Sequence, residues 1–202
     1  MHPKKILPAI ITLLTNKQTY YHLMSFKNQL AYILKQLQKL VLCNNKETLK
    51  YLANQACITP HIWLSRSDNL DCPDQMIFDL DPPGNDFSLV LEAARDLREV
   101  LEKGCKLKTF VMTTGSKGLH VVVPIKPAHT FDEVRNYAKE IAAFLVEQKM
   151  GKYTLNPRKT ERGRKLFIDY LRNGYAQTSV ASYAVRSLDG APQSQCLLTG
   201  VR

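Results

Sequence analysis

The chain has 202 residues, 45% of them hydrophobic, enough to bury a sizeable core as one domain, alone or with a small appendage. No run approaches the roughly 18 apolar residues of a membrane span. Polar breaks at Thr12, Thr15, Asn16 and Lys17 argue against a signal peptide, so a cytoplasmic protein without membrane association is the default expectation. Five cysteines without a C-x-x-C pair suggest neither a disulfide framework nor a zinc site. The net charge of +10 points to a polyanionic partner, although a basic surface alone also serves solubility. Its distribution is uneven: residues 1–50 carry eight lysines against the single acid Glu47, whereas residues 68–81 carry five aspartates.

In chain order, Leu23, Phe26, Leu30, Ile33, Leu37 and Leu40 recur every three or four residues and predict a helix over about 22–42. Asn44 with Glu47 three residues later predicts a second helix, through about Cys57 and ended by Pro60. Residues 1–45 are thus expected to be a divergent, lysine-rich helical segment, and residues 46–202 the catalytic domain. A strand is expected over 75–81, closed by the Pro82-Pro83-Gly84 turn, then a helix over about 87–103 stopped by Gly104. Strands over 107–113 and 119–124 flank the polar loop Thr114–Gly118 as a hairpin. Thr130 and Glu133 form a capping box for a helix ending near Gly151. A basic loop with Arg158, Lys159, Arg162 and Arg164 leads to a last strand over 165–171.

This β-α-β-β-α-β order predicts an α+β protein built on a ferredoxin-like, RRM-like split βαβ sheet, with the first strand between the third and the fourth. Aspartate is disfavoured in strands, yet Asp79 and Asp81 sit two apart in an apolar one. Alternation puts them on one face, with Phe78 and Leu80 anchoring the other. Asp169, between Ile168 and Tyr170, repeats the anomaly, and His120 lies on the third strand. All four would converge on one open face. Hard cations such as magnesium or manganese want carboxylate oxygens, and two held by shared carboxylates form a clamp for phosphoryl or nucleotidyl transfer. Gly115 and Gly118 would let the backbone approach a phosphate, with Ser116 and Lys117 supplying a hydroxyl and an ammonium. Plainer readings stand beside these: the aspartates as turn formers, the glycines as an ordinary hairpin loop, His120 as a hydrogen-bonded sheet histidine. An EF-hand starting at Asp79 is rejected, because its twelfth position is Val90 and two prolines intrude.

Phe78-Asp79-Leu80-Asp81-Pro82, Thr114-Gly115-Ser116-Lys117-Gly118-Leu119-His120-Val121-Val122-Val123-Pro124 and Phe167-Ile168-Asp169-Tyr170-Leu171-Arg172-Asn173 closely resemble the three motifs of the polymerase domain of bacterial DNA ligase D. That domain belongs to the archaeo-eukaryotic primase superfamily. The resemblance runs from about Glu47 to Pro192 and includes His61-Ile62-Trp63 and Ala184-Val185-Arg186. It implies a DNA-directed nucleotidyltransferase that extends or gap-fills DNA ends with ribo- or deoxyribonucleotides during nonhomologous end joining. Expected partners are DNA ends or gapped DNA, nucleoside triphosphates, Ku and a separate ATP-dependent DNA ligase. The expected setting is the bacterial cytoplasm, at the nucleoid when DNA is bound. Carried over by residue, Asp79 and Asp81 would bind both metals (Mn2+ or Mg2+), and Asp169 would complete the one nearest the primer 3′ hydroxyl. Thr114, Ser116, Lys117 and His120 would contact the triphosphate, and His61, Arg162 and Arg186 would lie near the nucleotide. An aromatic Phe-Phe-Gln-Lys-His-like segment for base stacking and a K-x-D-G ligase nucleophile are both missing, so a shortened member without end-sealing activity is expected. Two alternatives remain: a DNA-end binder with weakened catalysis, and another D-x-D metal-dependent transferase.

Overall fold

The computed structural model describes residues 20–22, 38–190 and 192–197. Strands β1 (Tyr20–His22) and β2 (Gln38–Leu40) pair antiparallel. The helix expected over 22–42 is therefore absent at both ends, and its middle lies outside the described residues. The reason is visible at Leu40 and Leu42: both are buried against Trp63, a period of two that a strand satisfies and a helix does not. Helix α1 (Lys46–Asn54) begins one residue later than expected, because Asn45 is the N-cap and accepts from Thr48 N at 2.8 Å. Three short strands follow, β3 (His61–Trp63), β4 (Ser65–Arg66) and β5 (Asn69–Pro73), none with enough alternation to announce itself in the sequence.

Strand β6 (Gln75–Asp81) spans the expected residues. Helix α2 (Phe87–Glu99) starts where Asp86 caps Ser88 N and Leu89 N, and continues into a π-helical turn, Val100–Gly104. Strand β7 (Phe110–Thr113) starts later than expected, since Leu107 N donates to Leu101 O and Thr109 is held by Glu102, so residues 107–109 complete the helix exit. Strand β8 (Leu119–Pro124) and helix α3 (Phe131–Gln148), with its Thr130–Glu133 capping box, match expectation. Beyond them come β9 (Tyr153–Thr154), the one-turn helix α4 (Lys159–Arg162) inside the expected basic loop, and β10 (Leu166–Asp169). β10 stops before residue 171 because Asp169 Oδ1 accepts from Leu171 N at 2.8 Å and turns the chain into a 3-10 turn, Leu171–Asn173. Strands β11 (Thr178–Val180) and β12 (Gln195–Leu197) complete the order.

The main sheet runs β12-β7-β8-β6-β10-β9, so the first strand of the split βαβ unit lies between its third and fourth. One face is packed: Met76, Phe78 and Leu80 meet Val90, Leu97, Val121, Val134, Ala138 and Ile168 under α2 and α3. Burying each large apolar side chain in this layer contributes about 1.5–3 kcal/mol. The opposite face carries Asp79, Asp81 and His120, and the β3–β11 pair covers it in part through Ile62, Val180 and Ala181. The site is therefore a gap in that second layer.

Candidate active site on the open sheet face

Register brings the chemistry together. Asp79 is the cross-strand partner of His120 on β8 and of Asp169 on β10. His120 is 4% exposed, with Nε2 3.5 Å from Asp79 Oδ1 and Nδ1 3.2 Å from the Ser179 hydroxyl. Arg172 lies between two carboxylates, Nε at 3.4 Å from Asp79 Oδ2 and 3.5 Å from Asp169 Oδ2. Burial pushes the Asp79 carboxyl up, but His120 and Arg172 outweigh it and hold the group below its usual range. For Asp169 burial dominates, with Asp79 adding to it, and the carboxyl sits above its usual range. The His61 imidazole is lowered, chiefly by burial, although its Nδ1 donates to Thr59 O at 3.1 Å.

The cleft over these groups has a volume of about 560 Å³. All ten residues singled out from the sequence line it: the aspartates Asp79, Asp81 and Asp169, the histidines His61 and His120, Thr114, Ser116 and Lys117 of the hairpin, and Arg162 and Arg186. They do not all present free groups. Arg162 is 8% exposed and stacks 4.0 Å over the Phe167 ring. It donates to Asp81 Oδ2 at 2.6 Å, Asn156 O at 2.9 Å and Pro157 O at 2.7 Å. The Thr114 hydroxyl donates to Gly118 O at 3.0 Å and closes the hairpin loop. Two glycines make that loop possible. A Cβ on Gly118 would stand 2.3 Å from Leu80 O, and one on Gly115, at φ +67°, would stand 2.7 Å from Arg186 Cγ. The loop is thus pressed against β6 on one side and Arg186 on the other.

Sequence reasoning missed Arg172, Ser179 and Asn173. Arg172 and Asn173 lie inside the Phe167–Asn173 stretch, so a signal existed; Ser179 acts across 59 residues and left none. Asn173, 0% exposed, accepts from Ile77 N at 2.8 Å and donates to Ile77 O and Tyr170 O, taking the place of a strand where β10 has ended. Lys159 also lines the cleft.

Among the described residues no group of three or more His, Cys, Asp and Glu stands close enough to enclose a metal ion. The donor chemistry nevertheless suits a hard divalent cation: Asp79 and Asp169 face each other across paired strands, and Asp81 is on the same face. Arg172 and Arg162 now supply the positive charge these carboxylates need. Asp81 is held away by Arg162 and would have to leave it to become a ligand.

An α+β sheet of this topology, with an Asp-x-Asp strand and a Ser-Lys-Gly loop beside it on the open face, is the archaeo-eukaryotic primase-like arrangement. The family model described as LigD, primase-polymerase domain, matches residues 16–197, and the chain belongs to that family. The match starts well before Glu47, where the motif resemblance begins. A multifunctional non-homologous end joining protein LigD from Pseudomonas aeruginosa is 34% identical over 149 residues, 73% of this chain and 18% of the relative. A bifunctional LigD from Bacillus subtilis is 27% identical over 148 residues, 72% of this chain and 24% of the relative. The chain thus spans about a fifth of the length of these relatives. The polymerase domain of Mycobacterium tuberculosis ligase D, solved in complex with DNA, superposes with a TM-score of 0.71 at 22% identity. That superposition covers 97% of this chain and 66% of the other, and it shows the fold.

Proposed function

We propose that this protein is a metal-dependent nucleotidyltransferase that extends or fills DNA ends with nucleotides during double-strand break repair by end joining. The observation that carries the proposal is the pairing of Asp79 with both His120 and Asp169 on one open sheet face, beneath a rim of Lys117, Lys159, Arg172 and Arg186. Membership of the LigD primase-polymerase family supports it. Asp79, Asp81 and Asp169 would hold magnesium or manganese, which when bound supplies the Lewis acidity that activates a primer 3′ hydroxyl and offsets triphosphate charge. The chain's own residues do the rest. Lys117 and Arg186 would cancel charge on the triphosphate, Ser116 would hydrogen-bond to it, and the close approach at Gly118 would hold the loop against β6. His120, fixed between Ser179 and Asp79, would present a defined ring face to the nucleotide. His61, half-buried near Arg186, has its charge suppressed chiefly by burial.

The test is primer extension on gapped DNA with a 5′ phosphate, using ribo- or deoxyribonucleoside triphosphates with manganese. Extension is expected, and Asp81→Ala should abolish it while the circular dichroism spectrum is unchanged, because Asp81 is not part of the apolar core. Extension by that variant at the wild-type rate would overturn the assignment of the carboxylate site. Turnover of a nucleotide sugar without any primer extension would replace the polymerase reading with a sugar-transfer one.

A further inference from the structure

Four non-glycine residues among those described have positive φ: Ala56, Lys106, Ala176 and Tyr183. Tyr183 is the aromatic one, at φ 65°. Ala184 N donates to Ala181 O at 3.2 Å, so Tyr183 is the third residue of a four-residue turn. A left-handed residue there is ordinarily glycine or asparagine, and for a bulky residue it is a true outlier. The surroundings impose the conformation. Tyr183 N donates to Ser194 O at 2.7 Å, and Ala184 N donates to the Ser194 hydroxyl at 3.0 Å. Ser194 itself is 0% exposed. Ala181 and Ala184, on either side of the turn, are buried with Met112 and Val180, but Tyr183 remains 67% exposed. The turn thus leaves a large ring exposed while the residues on either side of it join an apolar cluster.

Tyr183 does not itself line the cleft, but it stands in the chain three residues from each of two that do, Val180 and Arg186. We propose that Tyr183 is a stacking platform for a nucleobase of the single-stranded nucleic acid that enters this cleft. The inference rests on the nucleic-acid reading of the site given above. A base offers a flat π-face to the ring, and its sugar-phosphate chain offers the negative charge that Arg186, Lys117 and a net charge of +10 attract. A tyrosine has only two side-chain torsions to fix, so its ring loses less freedom on stacking than a long flexible side chain would.

The experiment compares, by fluorescence anisotropy on the full chain, binding of a labelled oligothymidylate and of an abasic strand of the same length. The wild type should prefer the strand that carries bases. Tyr183→Ala should lose about tenfold in affinity for oligothymidylate and nothing for the abasic strand, and Tyr183→Phe should keep the preference. Tyr183→Gly suits the left-handed turn, so it should lose the same affinity without a fall in unfolding temperature, separating stacking from damage to the fold. Binding of both strands by the alanine and glycine variants as by wild type would overturn the platform, while wild-type primer extension left the polymerase reading standing. If the wild type bound neither strand and extended no primer, the nucleic-acid reading would fall and Tyr183 with it.

Discussion

Asp79 and Asp169 face each other across paired strands but feel opposite environments. Asp79 is held below its usual range by His120 and Arg172, so its contribution to stability is present above the unfolded carboxylate value and is lost as pH falls through the folded one. Asp169 is held above its range, chiefly by burial, so the folded protein keeps a proton the unfolded chain has released. Its effect therefore runs the other way: stability falls as pH rises from the unfolded carboxylate value through the folded one, and above the folded value the penalty is fully present. Asp169→Asn removes that penalty and keeps an acceptor for Leu171 N, so the variant should unfold no earlier than wild type at pH 7. It should also lose the response to metal. At manganese about 100-fold above its dissociation constant, wild type should gain about 2.7 kcal/mol, roughly 5–10 °C in thermal unfolding, and Asp169→Asn should gain none. An equal rise in both proteins would remove Asp169 from the metal site.

At the level of elements, the join between β6 and the turn after β10 sets the distance between these carboxylates. β10 ends at Asp169, and from there Asn173 alone satisfies the amide and carbonyl of Ile77 on the edge it leaves. Asn173→Ala would strand both groups in a buried setting, at a cost of about 3 kcal/mol, read as a lower urea midpoint with an unchanged slope. Asn173→Asp keeps the acceptor for Ile77 N but loses both donors, and its effect should not match that of a surface substitution. A midpoint equal to wild type in the alanine variant would show the amide to be dispensable. β6 itself was legible because Phe78 and Leu80 alternate with Asp79 and Asp81, a period that a strand accommodates. The end of β10 was not, since it depends on the Asp169 side chain turning back onto Leu171 N. β3 and β11 escaped for a related reason: three residues each, they are defined by partners far along the chain, such as Trp63 with Thr178, while β4 and β5 form a local hairpin too short and too irregular in register to show a period. The expected helix over 22–42 failed at Leu40, whose spacing from Leu37 fits a helix while its pairing with Tyr20 makes a strand.

Across the whole molecule, the placement of charge follows from the topology. Putting β6 in the middle of the sheet gathers the carboxylates at the centre of one face, and the loops around that face carry the cations. The carboxylates could be found from sequence because acids in apolar strands are anomalous on their own; Arg172, three residues after Asp169, stood in the same motif without declaring its role, and Ser179 left no signal, because its contact with His120 exists only once strands distant in sequence are brought together. The cations themselves fall into two groups. Arg162 is buried and engaged with Asp81, and Arg172 is shared between Asp79 and Asp169, whereas Lys117 and Lys159 are exposed and have no ion-pair partner among the described residues. Only the second group should release counterions when a phosphate backbone arrives. Binding of gapped DNA should therefore weaken steeply as salt rises from about 50 to about 300 mM, and Lys117→Ala should make the slope of log affinity against log salt shallower by about 1 if Lys117 meets a backbone phosphate. If its phosphate belongs to the nucleotide, the DNA slope stays as in wild type and the apparent triphosphate affinity falls instead. Arg162→Ala should leave the slope unchanged if Asp81 holds the guanidinium throughout in the wild type, so a shallower slope in that variant would show that DNA draws Arg162 away from Asp81.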